Sequence, residues 1–247
     1  MSLTLAQALV KAHNSCSTID TATTKLPGSL DEAMGVQAAT VAALGIRVAG
    51  WKVGITGDGV PMAAPMLADT IHGSGGMWPL TSAGAAIAEV EIAIRLKHDL
   101  PVRPGKPWLR SEIEAACGDV TIGIEIICSR LSAGMASPFP LWLADRLGNA
   151  GYVTGDGMPY SNVQNIAALR CRLWVDGRLV HDKVGGHPQN DPLAPVLAVC
   201  NGDLHPGFKA GDIITTGSLI TPLRCERPAK LAAEIDGLGK VAVEITD

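Results

Sequence analysis

Three carboxylates in two apolar segments are the residues of this sequence best placed to do chemistry. Glu89 and Glu91 lie two apart in residues 88–96 (AEVEIAIRL), and Glu125 stands between Ile124 and Ile126 in residues 121–130 (TIGIEIICSR). Runs this rich in Val and Ile favour strands. Strand side chains alternate, so Glu89, Glu91 and Ala93 share one face, and Ala88, Val90, Ile92 and Ile94 share the other. Carboxylates gathered in a poorly hydrated place cannot all stay ionised unaided. A hard divalent cation is the simplest compensation, and Mg²⁺ suits a few carboxylates plus waters. The same alternation is also the ordinary pattern of a half-buried sheet with one solvated face, so spacing alone leaves both readings open. A second Glu-x-Glu pair, Glu112 and Glu114, follows Ser111 in a capping-box pattern and reads as the first-turn acids of a helix.

Lys52 is the fourth candidate. It sits in Gly50-Trp51-Lys52-Val53-Gly54, an apolar strand with a glycine on each side. Its stem could carry the ammonium out to water, or the ammonium could face a substrate carboxylate or deliver a proton. Trp51 would then point the other way and pack. Residues 57–79 are rich in Gly and Pro and carry Asp58, Asp69 and His72, without a dinucleotide or phosphate-loop motif. They read as a mobile lid or a plain surface loop. His181 and His187 flank another Gly-rich turn and read as solvated loop histidines.

The elements that must position these groups follow from periodicity and punctuation. Helices are expected over 4–13 and 29–44, the second opened by Ser29 with Glu32 and closed by Gly45, and again near 111–117, 140–147 and 193–199. Strands are expected over 48–55, 87–96, 120–127, 151–155, 168–175, 213–216, 230–235 and 240–245, with hairpin signals at Asp176-Gly177 and Asp236-Gly237. Strands and helices do not alternate strictly, so the pattern predicts an α+β fold with a mostly β body. The 247 residues are 47% apolar with a net charge of −4 and no Lys/Arg cluster, which argues against nucleic acid as a partner. No apolar run reaches membrane length and the N-terminus lacks a signal pattern, so the expectation is a soluble cytoplasmic protein. Six scattered cysteines without Cys-x-x-Cys read as reduced thiols.

Six segments in order, Val36-Gln37, GWKVGIT at 50–56, AEVEIAI at 88–94, GIEIICSR at 123–130, LADRLGNAGYVTG at 143–155 and AGDIITTGSL at 210–219, resemble the 2-keto-4-pentenoate hydratase branch of the fumarylacetoacetate hydrolase superfamily. The resemblance implies a mixed β-roll with N-terminal helices, residues 1–247 forming a single hydratase-like domain with residues 1–47 packed on the β body. It implies Mg²⁺ or Mn²⁺ held by Glu89, Glu91 and Glu125, with Lys52 catalytic and substrate-binding, and Thr216 and Ser218 at the substrate. The implied substrate is a short 2-hydroxy-dienoate or 2-keto-enoate that gains water to give a 4-hydroxy-2-keto acid. A homo-oligomer is also implied, consistent with the Ala-rich segment 29–44. Two positions depart from the family: Met62 stands where it has an aspartate, and Gly148 where it has a serine. The alternatives are a metal-dependent 2-oxo acid decarboxylase, an acylpyruvate-type carbon–carbon hydrolase, or a non-catalytic hydratase-like subunit. The hydrolase branch resembles itself in a His-x-x-Glu pair, and no histidine here has an acid three residues on.

Overall fold

The structure is a computed structural model and describes residues 4–80, 86–204 and 207–247. Two helices open it, α1 (Leu5–Asn14) and α2 (Leu30–Leu44). The Ser29 hydroxyl accepts the Glu32 N–H at 3.1 Å, Glu32 reaches back to the Gly28 N–H at 2.6 Å, and Gly45 ends α2 at φ 69°. Three shorter helices follow, α3 (Arg110–Ala116), α4 (Phe139–Ala144) and α5 (Leu193–Cys200). None of the helices described is long and apolar enough to cross a membrane.

The β body is built from β1 (Val48–Ile55), β2 (Pro61–Leu67), β3 (Ile71–Gly73), β4 (Gly76–Pro79), β5 (Ala86–Leu96), β6 (Cys117–Ile127) and β7 (Asn149–Pro159). It continues with β8 (Arg170–Val175), β9 (Arg178–Val184), β10 (Ile213–Ser218), β11 (Leu223–Cys225), β12 (Ala229–Ile235) and β13 (Gly239–Thr246). One mixed sheet runs β2-β1-β10-β5-β6-β7-β3, with β11 also paired to β5, and a second runs β4-β13-β12-β8-β9. The first sheet curls until Met66 of β2 packs with Tyr152 of β7 across its inside. On its outer face Val90, Ile92, Ile122 and Ile124 pack against Leu231, Ile235, Val241 and Ile245 of the second sheet. Both faces of β5 and β6 are therefore covered, which is why their sequences are nearly continuous apolar runs. The fold is α+β, a curled mixed sheet with helices against it.

Residues 57–79 are not a lid. They hold β2, β3 and β4. Pro61 and Pro65 hide β2 from sequence patterning, but β2 is the end strand of its sheet, where a missing N–H is tolerated. β3 and β4 are short parallel additions to β7 and β13, too brief to show a period. β9 completes the hairpin after Asp176-Gly177, whose φ values are 50° and 80°. Helix α3 begins earlier than the Ser111 reading: Glu112, not Glu114, accepts the cap N–H, that of Leu109, at 2.9 Å. Helix α4 stops at Ala144 because Arg146, Leu147 and Gly148 all take positive φ.

Candidate active site

The inside of the curled sheet carries the candidate residues in register. Glu89 of β5 lies directly opposite Glu125 of β6, Glu91 opposite Gly123, and Lys52 of β1 opposite Thr215 of β10, itself opposite Ala93. Glu89, Glu91 and Glu125 are 8%, 1% and 0% exposed, and one oxygen from each lies within 4.8 Å of the others. The solvated-face alternative for the Glu-x-Glu pair is therefore excluded. Trp51 does face away, against Phe208, with its indole N–H on Asp212.

Like charges placed directly opposite in a sheet repel, and burial sharpens the repulsion. Lys52 Nζ answers part of it, 3.2 Å from Glu125 Oε2 and 3.4 Å from Glu89 Oε2. Burial would lower the Lys52 pKa, but Glu125, Glu89 and Glu91 outweigh it and hold the ammonium above its usual range. Burial pushes Glu91 well above the ordinary carboxylate range, with Glu125 and Glu89 adding to it. Glu89 is raised by burial and by Glu125, against the pull of Lys52. Two neutral donors complete the set: the Gly217 N–H to Glu91 Oε2 at 2.8 Å, and Asn149 Nδ2 to Glu125 Oε1 at 2.9 Å. Three carboxylates against one ammonium leave an excess of negative charge in a dry place. All the exposed lone pairs are hard oxygens, a donor set that fits a divalent ion such as Mg²⁺ or Mn²⁺.

The sequence reasoning passed over two positioning features. Asn149 is fully buried against Glu125, and only its place opening β7 could have marked it. The Gly217 N–H reaches Glu91 because β10 bulges between Thr215 and Ser218, with Gly217 at φ 126°, a conformation that favours glycine. His187 corrects the sequence reading more sharply. It is 2% exposed, and its Nε2 lies 2.8 Å from the Thr216 carbonyl oxygen; burial lowers its pKa. His181 is not a loop histidine either: it lies half-buried in β9, opposite Leu173 of β8.

A cavity of about 360 Å³ opens over the carboxylates, floored by Lys52, Glu89 and Glu91 and edged by Thr216, Gly217 and Ser218. The Thr216 hydroxyl donates to the Ile92 carbonyl at 2.9 Å, and that of Ser218 to the Ile220 carbonyl at 2.9 Å. Both residues thus border the cavity with their hydroxyl protons engaged. The far wall is apolar: Met62, Met135, Trp142, Leu147, Ile220 and Pro222. Met62 lies against Gly54, where a Cβ would meet its Cε at 2.6 Å. The departure at Gly148 also has a physical basis. A Cβ there would sit 2.1 Å from the Trp142 ring and 2.9 Å from Ile127, at φ 68°. Gly148→Ser is therefore expected to cost about 2–4 kcal/mol, through overpacking and backbone strain. The cost should shrink by at least about 1 kcal/mol in a Trp142→Ala background, as contacting residues do not add. Urea denaturation of the two singles and the double checks this, and strict additivity would refute the steric account.

No family model matches the chain. It is 26% identical over 213 residues to a 2-keto-4-pentenoate hydratase of Burkholderia vietnamiensis, covering 82% of this chain and 80% of the relative. It is 27% identical over 217 residues to a 2-hydroxyhexa-2,4-dienoate hydratase of Comamonas testosteroni, covering 83% and 81%. Its fold matches that of 4-oxalocrotonate decarboxylase from Pseudomonas putida G7, solved with magnesium and adipate, at a TM-score of 0.84 and 21% identity over 99% of both chains. Over more than 80% of its length the chain is therefore similar to curated 2-keto-4-pentenoate and 2-hydroxyhexa-2,4-dienoate hydratases, and it shares the curled-sheet fold of the decarboxylase.

Proposed function

We propose that this chain is a divalent-metal-dependent lyase that adds water to a short 2-hydroxy-dienoate, or its 2-keto-enoate tautomer, to give a 4-hydroxy-2-keto acid. The observation that carries the reading is the buried trio of Glu89, Glu91 and Glu125, facing the Lys52 ammonium on the floor of a cavity. The hydratase names of the relatives and the magnesium in the matching fold support it. A divalent ion held by the three carboxylates would supply electrostatic stabilisation of negative charge on the substrate's 2-oxygen.

The chain's own residues would do the rest. Tautomerisation moves the 2-hydroxyl proton to the far end of the diene, and water then places its hydroxyl on C4 and its proton on C3. Lys52 Nζ, held as an ammonium, would pair with the substrate carboxylate or pass a proton along the diene. Thr216 and Ser218 would border the bound acid, Ser218 by turning its hydroxyl from Ile220. The far wall would seat the tail and exclude bulk water. The chain would act as one hydratase-like unit and assemble as a homo-oligomer, for which the exposed Ala38, Ala39, Ala42 and Ala43 of α2 offer a surface.

One observation favours a second reading, a metal-dependent 2-oxo acid decarboxylase. Beyond the trio, no described residue lining the cavity is a carboxylate or histidine able to activate water. Against it, no described lining residue other than Lys52 is a cation to receive a second carboxylate. The test is to follow the ultraviolet absorbance of 2-hydroxypenta-2,4-dienoate and its longer homologues, with Mg²⁺ or Mn²⁺ and with chelator. Metal-dependent loss of absorbance with a 4-hydroxy-2-keto acid product is expected. No loss across the series, with carbon dioxide released from a 2-oxo-enedioate, would establish the decarboxylase instead.

A further inference from the structure

The reaction as read above gives His187 no task, yet this residue of the segment joining β9 to α5 is buried. Its Nε2 lies 2.8 Å from the Thr216 oxygen, and a carbonyl can only accept, so Nε2 carries the proton. Nδ1 in turn accepts the Gln189 N–H at 3.3 Å, which fixes the neutral tautomer. The peptide group that receives the histidine's bond is the one joining Thr216 to Gly217. Its other end, the Gly217 N–H, donates to Glu91 Oε2 at 2.8 Å. One planar unit therefore links the imidazole to the carboxylate.

That unit needs an outside restraint. Gly217, at φ 126°, has no side chain to limit its backbone, and it interrupts the β10–β5 ladder. His187 supplies the restraint and is itself anchored. The Asn190 N–H bonds the His187 carbonyl at 2.9 Å, and Asp191 caps the Leu193 N–H at 3.0 Å while pairing with Arg110. A Cβ on Gly217 would lie 3.4 Å from His187 Nε2 and from Pro188, so the loop rests directly on the bulge.

We propose that His187 is a positioning residue that fixes the Thr216–Gly217 peptide and, through it, aims the Glu91 carboxylate at a divalent ion. The proposal rests on reading the three carboxylates as a metal centre. Partners that orient metal-ligating groups are typically worth about 10–100-fold in metal affinity.

The test is Mn²⁺ titration, followed by calorimetry and by the electron paramagnetic resonance spectrum of the bound ion. It compares the unaltered chain with His187→Gln, which keeps an N–H donor, and His187→Met, which fills the space without one. His187→Met should bind Mn²⁺ about 10–100-fold more weakly, with a changed zero-field splitting. His187→Gln should stay within about threefold of the unaltered chain, by the same estimate of what the lost donor is worth. Circular dichroism of the metal-free variants should be unchanged. If His187→Met does not fold, His187→Asn replaces it, its amide being too short to reach Thr216. Unaltered affinity in the donor-less variant overturns the proposal and leaves the metal centre standing, as does an equal loss in both variants, which would trace to packing. Absence of Mn²⁺ binding to the unaltered chain removes the metal reading and the proposal with it.

Discussion

Glu91→Gln and Glu125→Gln should each abolish divalent-metal binding and lower turnover by about 10³-fold or more, since Lewis-acid stabilisation is worth several kcal/mol. Neither oxygen set can be replaced from nearby. Glu91 already spends one oxygen on the Gly217 N–H, and Glu125 spends one on Asn149. The stability effect should run the opposite way. Glu125 faces Glu89 across the sheet with one ammonium between several negative charges, so a neutral amide at 125 relieves repulsion. The metal-free Glu125→Gln variant should melt no lower than the unaltered chain, yet gain nothing from Mn²⁺. The unaltered chain should gain about 2.7 kcal/mol at a hundred times Kd, or about 5–10 °C at this size. The pH dependence follows from the raised pKa values of Glu89 and Glu91. A carboxyl raised in the fold keeps a proton that the unfolded chain has lost, so metal-free stability falls as pH climbs from the ordinary carboxylate range toward neutrality. Metal affinity rises over the same window, with proton release. Calorimetric melts with and without Mn²⁺ at pH 5 and pH 8 measure both slopes; full Mn²⁺ stabilisation of either amide variant would rule out the trio.

What the sequence made legible was whatever a strand period records. Glu89, Glu91 and Lys52 stood out because charged residues interrupt runs that should be wholly apolar, and the register then placed them together. Glu125 stood out for the same reason. The groups that aim these side chains were not legible. Gly217 acts through a backbone N–H exposed by a bulge, and a bulge leaves no periodic mark. His187 looks like a loop histidine because its burial comes from contact with β10, about 30 residues later in the chain. Strand β2 was hidden by its prolines, which only its place at the end of a sheet makes tolerable. The departures at Met62 and Gly148 were visible as letters. Their meaning, a methionine lying on Gly54 and a tryptophan ring occupying the space beside Gly148, needed the three-dimensional packing.

Lys52→Met should have the largest effect on the metal-free protein. Lys52 is the only cation among the described residues lining the cavity, and its ammonium lies within 3.4 Å of two of the three carboxylates. Removing one partner of a buried ionic cluster typically costs about 3–5 kcal/mol, because the remaining charges are left uncompensated. For a chain of this length that is roughly 6–20 °C in Tm. The sign with pH is fixed by which groups titrate. The raised pKa of Lys52 keeps its own contribution fully present below the usual lysine range, so between pH 5 and 8 the change comes from the carboxylates. Without the ammonium, Glu89 and Glu91 hold their protons to still higher pH, and the deficit relative to the unaltered chain should widen as pH rises. Mn²⁺ should return most of the lost stability, since the ion supplies the missing positive charge at the same place. Turnover should not return with it. A group that pairs with the substrate carboxylate or moves a proton contributes about 10²–10⁴-fold, and methionine can do neither. Melts with and without Mn²⁺, set beside the dienoate assay on the same samples, separate the two roles. Restored turnover in the Mn²⁺-loaded variant would reduce Lys52 to a counter-charge, and an unchanged metal-free Tm would show that the carboxylates never depended on it.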